Sequence, residues 1–212
     1  MEIEARFYYS EDSKEKIINK LNNIDELIYD DKYYEKTDQY NHPMKEFDFY
    51  DKKIDGRFRV RKTESDKLSK CMITWKRRIN SDEKIHQEEE IELDIKSEEY
   101  DNLLFLLNNV LHLELVESYE RYRNRFYNEE VEIVVDHYPF GVAIEIENKS
   151  KDKDGVSIVE KWVKKIGLDI NDSYNLSWDD KYEELCREQN KNIEKIVTFD
   201  KDMPKVLDSF LS

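Results

Sequence analysis

Residues 1–9 read MEIEARFYY. Charged and apolar groups alternate after Met1. Successive side chains of a strand point to opposite faces, so Glu2, Glu4 and Arg6 share one face and Ile3, Ala5 and Phe7 the other. Taken alone, this is an amphipathic strand with a solvated outer face, the norm in half-buried antiparallel sheets. Its meaning depends on whether other strands carry the same kind of charged face.

They do, and the charges are sorted by sign. In GRFRVR (56–61), Arg57, Arg59 and Arg61 oppose Phe58 and Val60. In ITWK (73–76), Thr74 and Lys76 oppose Ile73 and Trp75. In EEEIEL (88–93), Glu88, Glu90 and Glu92 oppose Ile91 and Leu93. Arg121, Arg123 and Arg125 line one face of YERYRNR (119–125), and Asp136 falls opposite Val135. In AIEIE (143–147), Glu145 and Glu147 oppose Ile144 and Ile146.

A charge run is usually a solvated face. Like charges side by side repel, however, so a solvated face more often mixes its signs. Rows of carboxylate and rows of guanidinium make sense when something lies between them. Arginine matches phosphate oxygens in a bidentate fork, and carboxylates hold hard divalent cations that bridge to phosphates. The expected fold is α+β: a closed antiparallel eight-stranded β-tunnel, charged inside, with helices packed on the outside. Closure also removes the exposed edges of so many strands.

The chain of 212 residues is long enough for one domain with an appendage. We divide it into a tunnel domain, 1–188, and a C-terminal helical tail, 189–212. A net charge of −15 disfavours broad attachment to nucleic acid or anionic membrane, while leaving room for a locally positive pocket. Cys71 and Cys186 match no metal spacing and read as reduced thiols of a cytoplasmic protein. No apolar run is long enough for a signal peptide or membrane span. The glycines, Gly56, Gly141, Gly155 and Gly167, have neither Walker nor Rossmann spacing. Side chains, and not a glycine-rich loop, must therefore handle any phosphate.

Periodicity predicts strands over 2–9, 71–79, 84–95 and 142–148, and hairpins pairing 45–51 with 57–63 (turn Asp55-Gly56) and 115–127 with 131–137. Helices are expected at Ser13–Leu21, from Ser97 to about Leu111, from a Ser157/Glu160 capping box to Gly167, over Trp178–Gln189 and over Asp202–Leu211. The segment 22–36 reads as polar and irregular. His42, His86, His112 and His137 are scattered without ligand spacing, although His137 and Tyr138 adjoin Asp136 and are candidates for a tunnel mouth. Trp75, Trp162 and Trp178 read as core or cap residues.

Several ordered motifs resemble the CYTH superfamily, the triphosphate tunnel metalloenzymes, from Met1 to about Glu184. Glu2-Ile-Glu-Ala-Arg6 resembles its opening E-x-E-x-K. Lys36-Thr-Asp38-Gln-Tyr40 is similar to its Q-x-D-x-Y-Y, Phe58–Arg61 to L-R-I-R, Ile73–Lys76 to L-T-x-K, Glu88–Glu92 to R-x-E-x-E, and Arg121-Tyr-Arg123 to K-x-R. Asp136-His-Tyr-Pro-Phe-Gly-Val-Ala-Ile-Glu-Ile-Glu147 resembles D-x-x-P-F-G-x-F-I-E-I-E and is the most specific stretch. Ser173-Tyr174 and Lys181-Tyr182 are both candidates for a late S-Y.

The resemblance implies metal-dependent action on a small triphosphate, with magnesium or manganese. In that reading Arg57, Arg59, Arg61, Lys76, Arg121, Arg123 and Arg125 bind the triphosphate. Glu2, Glu4, Glu145 and Glu147 hold one metal, and with Glu90, Glu92 or Asp136 a second; Glu2, Glu4, Arg6, Lys76 and Asp136 form the catalytic set. Arg6 stands where the family has lysine, and a guanidinium cannot shuttle protons. Three classes stay open: a hydrolase of inorganic, nucleoside or thiamine triphosphate; an adenylyl cyclase releasing pyrophosphate; and a non-catalytic polyphosphate-binding module. An RNA 5′-triphosphate end fits the first chemistry, but the acidic surface disfavours a long polyanion. A homodimer is compatible with the sequence, and no membrane partner is expected.

Overall fold

The computed structural model describes residues 2–47, 49, 56–79, 84–151 and 154–210. Eight antiparallel strands close on themselves: β1 (Glu2–Tyr9), β2 (Ile28–Asn41), β3 (Gly56–Glu64), β4 (Ser69–Arg78), β5 (His86–Ile95), β6 (Glu114–Tyr127), β7 (Val131–Tyr138) and β8 (Gly141–Asn148). Around the barrel they run β2-β3-β4-β5-β1-β8-β7-β6, and β6 pairs back to β2. A two-residue β9 (Ile196–Val197) adds in parallel to β6.

The barrel is polar inside and apolar outside. Ala5, Phe7, Ile133, Val135, Ile144 and Ile146 face outward and pack under α1 (Lys14–Asn22) and α3 (Gly155–Ile166) around Trp162. Tyr119, Tyr138 and Phe140 pack against α4 (Trp178–Glu188) and the chain end. Val60 and Cys71 pack with Leu107 beneath α2 (Tyr100–Phe105) and the π-turn that follows it. The hydrophobic core therefore lies between barrel and helices, which frees the inner faces for charge.

Four local expectations are corrected. Residues 22–36 are not irregular throughout, because β2 begins at Ile28. Tyr33, Glu35, Thr37 and Gln39 alternate with Tyr34, Lys36 and Asp38, so neither face carries the apolar stripe by which a strand is recognised. The 45–51/57–63 hairpin is replaced by pairing of β3 with β2 on one side and β4 on the other. Residues 45–47 form a 3-10 turn, and Asp55 lies outside the described residues.

α3 begins two residues before Ser157. Asp154 is its cap, accepting from Val156 N at 3.1 Å and from Ser157 Oγ at 2.8 Å. The expected terminal helix does not form over 202–210. Backbone donors there go elsewhere: Val206 N to Phe140 O at 2.8 Å and Phe210 N to Ser13 Oγ at 2.9 Å. Met203, Val206 and Phe210 are buried, so this segment is a strap over the outer wall.

Candidate active site

The strand order sorts the charges into two walls. β5, β1 and β8 are consecutive and carry Glu88, Glu90 and Glu92, then Glu2 and Glu4, then Glu145 and Glu147. β6, β2 and β3 are consecutive on the opposite side and carry Arg121, Arg123 and Arg125, then Glu35, then Arg57, Arg59 and Arg61. β4 contributes Lys76 between them, opposite Arg57 on one side and Glu90 on the other. Together they line a cavity of about 600 Å³. All the residues expected to bind phosphate or metal border it except Asp136, which stands on the inner face of β7 covered by Arg121 and Arg123.

Most tunnel cations already have an anion. Arg6 Nε lies 2.8 Å from Glu145 and its Nη2 lies 3.1 Å from Glu4. Arg121 contacts Glu35 at 2.7 Å and Asp136 at 2.8 Å, and donates to Tyr138 Oη at 2.9 Å. Arg123 holds Asp136 at 2.6 Å and Glu145 at 3.1 Å. Asp136 is fully buried and spends its oxygens on these two guanidiniums. Lys76 Nζ lies 2.6 Å from Glu2 and closer to Glu88.

Arg59 and Arg61 differ. Among the described residues neither has a carboxylate within ion-pairing distance. Arg59 Nε reaches Gln39 Oε1 at 3.5 Å and Arg61 Nε reaches Thr37 Oγ1 at 3.4 Å. Burial, together with neighbouring Arg57 and Arg61, lowers the Arg59 pKa. Two cations aimed into a buried channel without an anion are poised for one.

Across the tunnel, Glu2, Glu4 and Glu88 each offer an oxygen, all within 4.8 Å of one another. An all-oxygen, all-anionic donor set suits a hard divalent cation. Glu88, which the expected ligand set does not include, belongs to this cluster, and Glu90 and Glu92, expected at a second metal, line the cavity farther along β5. Glu147 is pushed up to about 8 by burial and by Glu2, against the pull of Lys149. Burial and Glu2 also raise Glu90, opposed by Lys76. Burial works against ionisation of Glu145, yet Arg6 and Arg123 hold it below the usual carboxylate range. These carboxylates crowd each other strongly enough that added positive charge would stabilise them.

The two ends of the tunnel are unlike. At one end side-chain exposure is 35% for Arg125, 37% for Lys70 and 42% for Lys149. At the other it is 5% for Arg78 and 8% for Arg57. There the start of α4 forms a floor. Ser177 caps the helix by accepting from, and donating to, its own first turn, with Asp180 completing the box. Trp178 packs at a tilt against Tyr119, 4.1 Å between ring centres. Arg57 donates to Ser177 Oγ at 3.0 Å and lies 3.6 Å from Asp179. Arg78 donates to the Asn175 carbonyl at 3.0 Å.

Glu35, Arg78 and Asp179 are tunnel or floor residues outside the set expected from sequence. Alternation from Tyr33 to Gln39 was the available signal for Glu35; nothing local marks Asp179, which arrives from a distant helix. Tyr138 borders the cavity but lies buried against Trp178 at its closed end, not at a mouth, and His137 pairs outside it with Glu11 at 3.1 Å.

No protein-family model matches the chain, and no curated protein matches it. Solved structures do. PH1819 from Pyrococcus horikoshii OT3 is 25% identical with a TM-score of 0.63, over 89% of this chain and 99% of that one. HpAC1 from Hippeastrum, a candidate adenylyl cyclase with a dominant triphosphatase activity, is 16% identical with a TM-score of 0.58, over 91% and 97%. A candidate adenylate cyclase from Vibrio parahaemolyticus is 16% identical with a TM-score of 0.60, over 84% and 96%. With the closed eight-stranded barrel, these decide the fold.

The chain shares the closed eight-stranded tunnel fold of these structures. The stretches that resemble CYTH motifs fall on the barrel strands: Glu2–Arg6 on β1, Arg59–Arg61 on β3, Thr74–Lys76 on β4, Arg121–Arg123 on β6 and Glu145–Glu147 on β8. Among the described residues, no helix is long and apolar enough to cross a membrane.

Proposed function

We propose that the protein is a metal-dependent triphosphatase acting on a small triphosphate inside the tunnel. The observation that carries this reading is the pair of facing walls: carboxylates converge on β5 and β1, while Arg59 and Arg61 point across at them with no carboxylate of the described residues within ion-pairing distance. A pure anion-binding module needs only the basic wall.

Magnesium or manganese, bound by Glu2, Glu4 and Glu88, would neutralise charge on the phosphoryl oxygens and lower the pKa of a bound water. The protein does the rest by position and charge. Arg59 and Arg61 grip non-bridging oxygens. Arg121 and Arg123, braced by Glu35 and Asp136, present a fixed second row of donors, so little reorganisation is needed as charge develops. Lys76, standing opposite Arg57 in register, can turn its ammonium from Glu2 towards phosphate. Arg6 orients Glu4 and Glu145 through ion pairs and keeps its own proton, since those anions raise its pKa although burial works against its charge. Its role here is to position carboxylates.

An adenylyl cyclase is the second reading, favoured by the candidate cyclases among the structural neighbours. The same grip would then orient the α-phosphorus towards the ribose hydroxyl. Product analysis separates the two. Purified protein is incubated with inorganic triphosphate or ATP, with magnesium, manganese or EDTA. Phosphate release that requires metal, without cyclic nucleotide, is the expected result. Pyrophosphate with cyclic AMP would replace the hydrolase by the cyclase, and triphosphate binding without turnover by any metal would overturn both.

A further inference from the structure

The basic wall is a ladder with one rung already taken. Arg57, Arg59 and Arg61 stand two residues apart on β3 and span roughly 14 Å of strand. Among the described residues Arg59 and Arg61 have no carboxylate within ion-pairing distance, whereas Arg57, the innermost, faces Ser177 and Asp179 of α4. Asp179 is held ionised: burial opposes its charge, but Arg57, Ser177 and Arg59 outweigh it. Glu117 lies behind this floor and is pushed up to about 8 by burial and Asp179. The other end of the tunnel is the exposed one, at Arg125, Lys70 and Lys149.

We propose that Asp179 is a specificity-determining residue, a built-in anion that ends the phosphate track at Arg57. This rests on the phosphate-binding reading above. A substrate enters through the Arg125 mouth with its terminal phosphate leading. That phosphate stops at the Arg59 rung, because the next guanidinium already holds a carboxylate and a further anion would meet Asp179 at close range. Any organic substituent stays at the mouth, beside Tyr33, Leu68 and Met72. The substrate class is therefore an end-on chain with a free terminal phosphate, and a fourth phosphate gains nothing from the deep arginine.

The test compares binding of tripolyphosphate and tetrapolyphosphate by calorimetry, at about pH 6.5, where Glu117 stays mostly protonated. In the wild type the two should bind within a factor of roughly two. In Asp179→Asn, which keeps an acceptor for Ser177, the preference for tetrapolyphosphate should rise roughly ten-fold, one added charge-assisted contact. Adding Arg57→Met to that variant should abolish the gain. Asp180→Asn, which weakens the helix cap alone, should leave the preference unchanged. Asp179→Ser replaces the asparagine variant if the latter does not fold. An unchanged preference in a folded, binding-competent Asp179 variant overturns the end-stop while leaving the phosphate site standing. Failure of the wild type to bind either polyphosphate overturns the phosphate site and the end-stop together.

Discussion

The ammonium of Lys76 on β4 lies 2.6 Å from Oε2 of Glu2 on β1, and nearer still to Glu88 on β5. A protein cation thus sits where three carboxylates converge. Burial works against its charge, but Glu4, Glu2 and Glu90 outweigh burial and raise its pKa. Removing it leaves buried carboxylates uncompensated. Lys76→Met should lose about 3 kcal/mol of stability in EDTA, with much of the loss restored by manganese. Urea denaturation with and without manganese checks this; a variant as stable as the wild type in EDTA would deny Lys76 its counter-ion role.

Arginines of the two kinds should respond differently to removal. Among the described residues Arg59 has no carboxylate at ion-pairing distance and has two cationic neighbours, so Arg59→Ala should change stability by no more than about 1 kcal/mol while abolishing tripolyphosphate binding. Arg123→Ala strips a partner from fully buried Asp136 and should cost about 3 kcal/mol or more. Paired denaturation and calorimetry on both variants measure the contrast.

The acid wall is predicted to govern turnover more than substrate affinity. Glu2→Gln and Glu4→Gln should each reduce manganese-dependent phosphate release by roughly 100-fold or more. Tripolyphosphate affinity measured in EDTA should hold or improve, because an anion facing the phosphate has been removed. Normal turnover in either variant would refute the assignment.

Glu117 gives the pH dependence a definite sign. Its carboxyl is raised from 4.5 to about 8, with burial and Asp179 as causes and Arg57 and Arg59 opposing. Between those values the folded chain holds a proton that the unfolded chain releases, so stability falls as pH rises through the window. Glu117→Gln removes this contribution. Melting curves from about pH 5 to pH 8 should fall less steeply for the variant than for the wild type; parallel curves would show that Glu117 titrates normally.

Much of the barrel was legible because its outer faces obey strict alternation. Ile3, Ala5 and Phe7 announce β1, and Ile144 and Ile146 announce β8. The sign-sorted inner residues then placed Arg59, Arg61, Lys76, Glu2 and Glu4 around one cavity. β2 escaped because Tyr33 to Asp38 is polar on both faces, and so Glu35 escaped with it. The floor was illegible for another reason. Ser177 and Asp179 look like ordinary helix-capping residues in sequence, and only packing of α4 across the tunnel end gives them Arg57 as a partner. The strap over 202–210 misled because Met203, Val206 and Phe210 have helical spacing, yet its backbone bonds go to Phe140 and Ser13.

The most direct measurement is the location of manganese and tripolyphosphate in crystals soaked with both, using the anomalous signal of the metal. Manganese should lie on oxygens of Glu2, Glu4 and Glu88, with phosphate oxygens held by Arg59 and Arg61 across the tunnel. Manganese away from the acid wall, or tripolyphosphate bound outside the tunnel, would contradict this assignment.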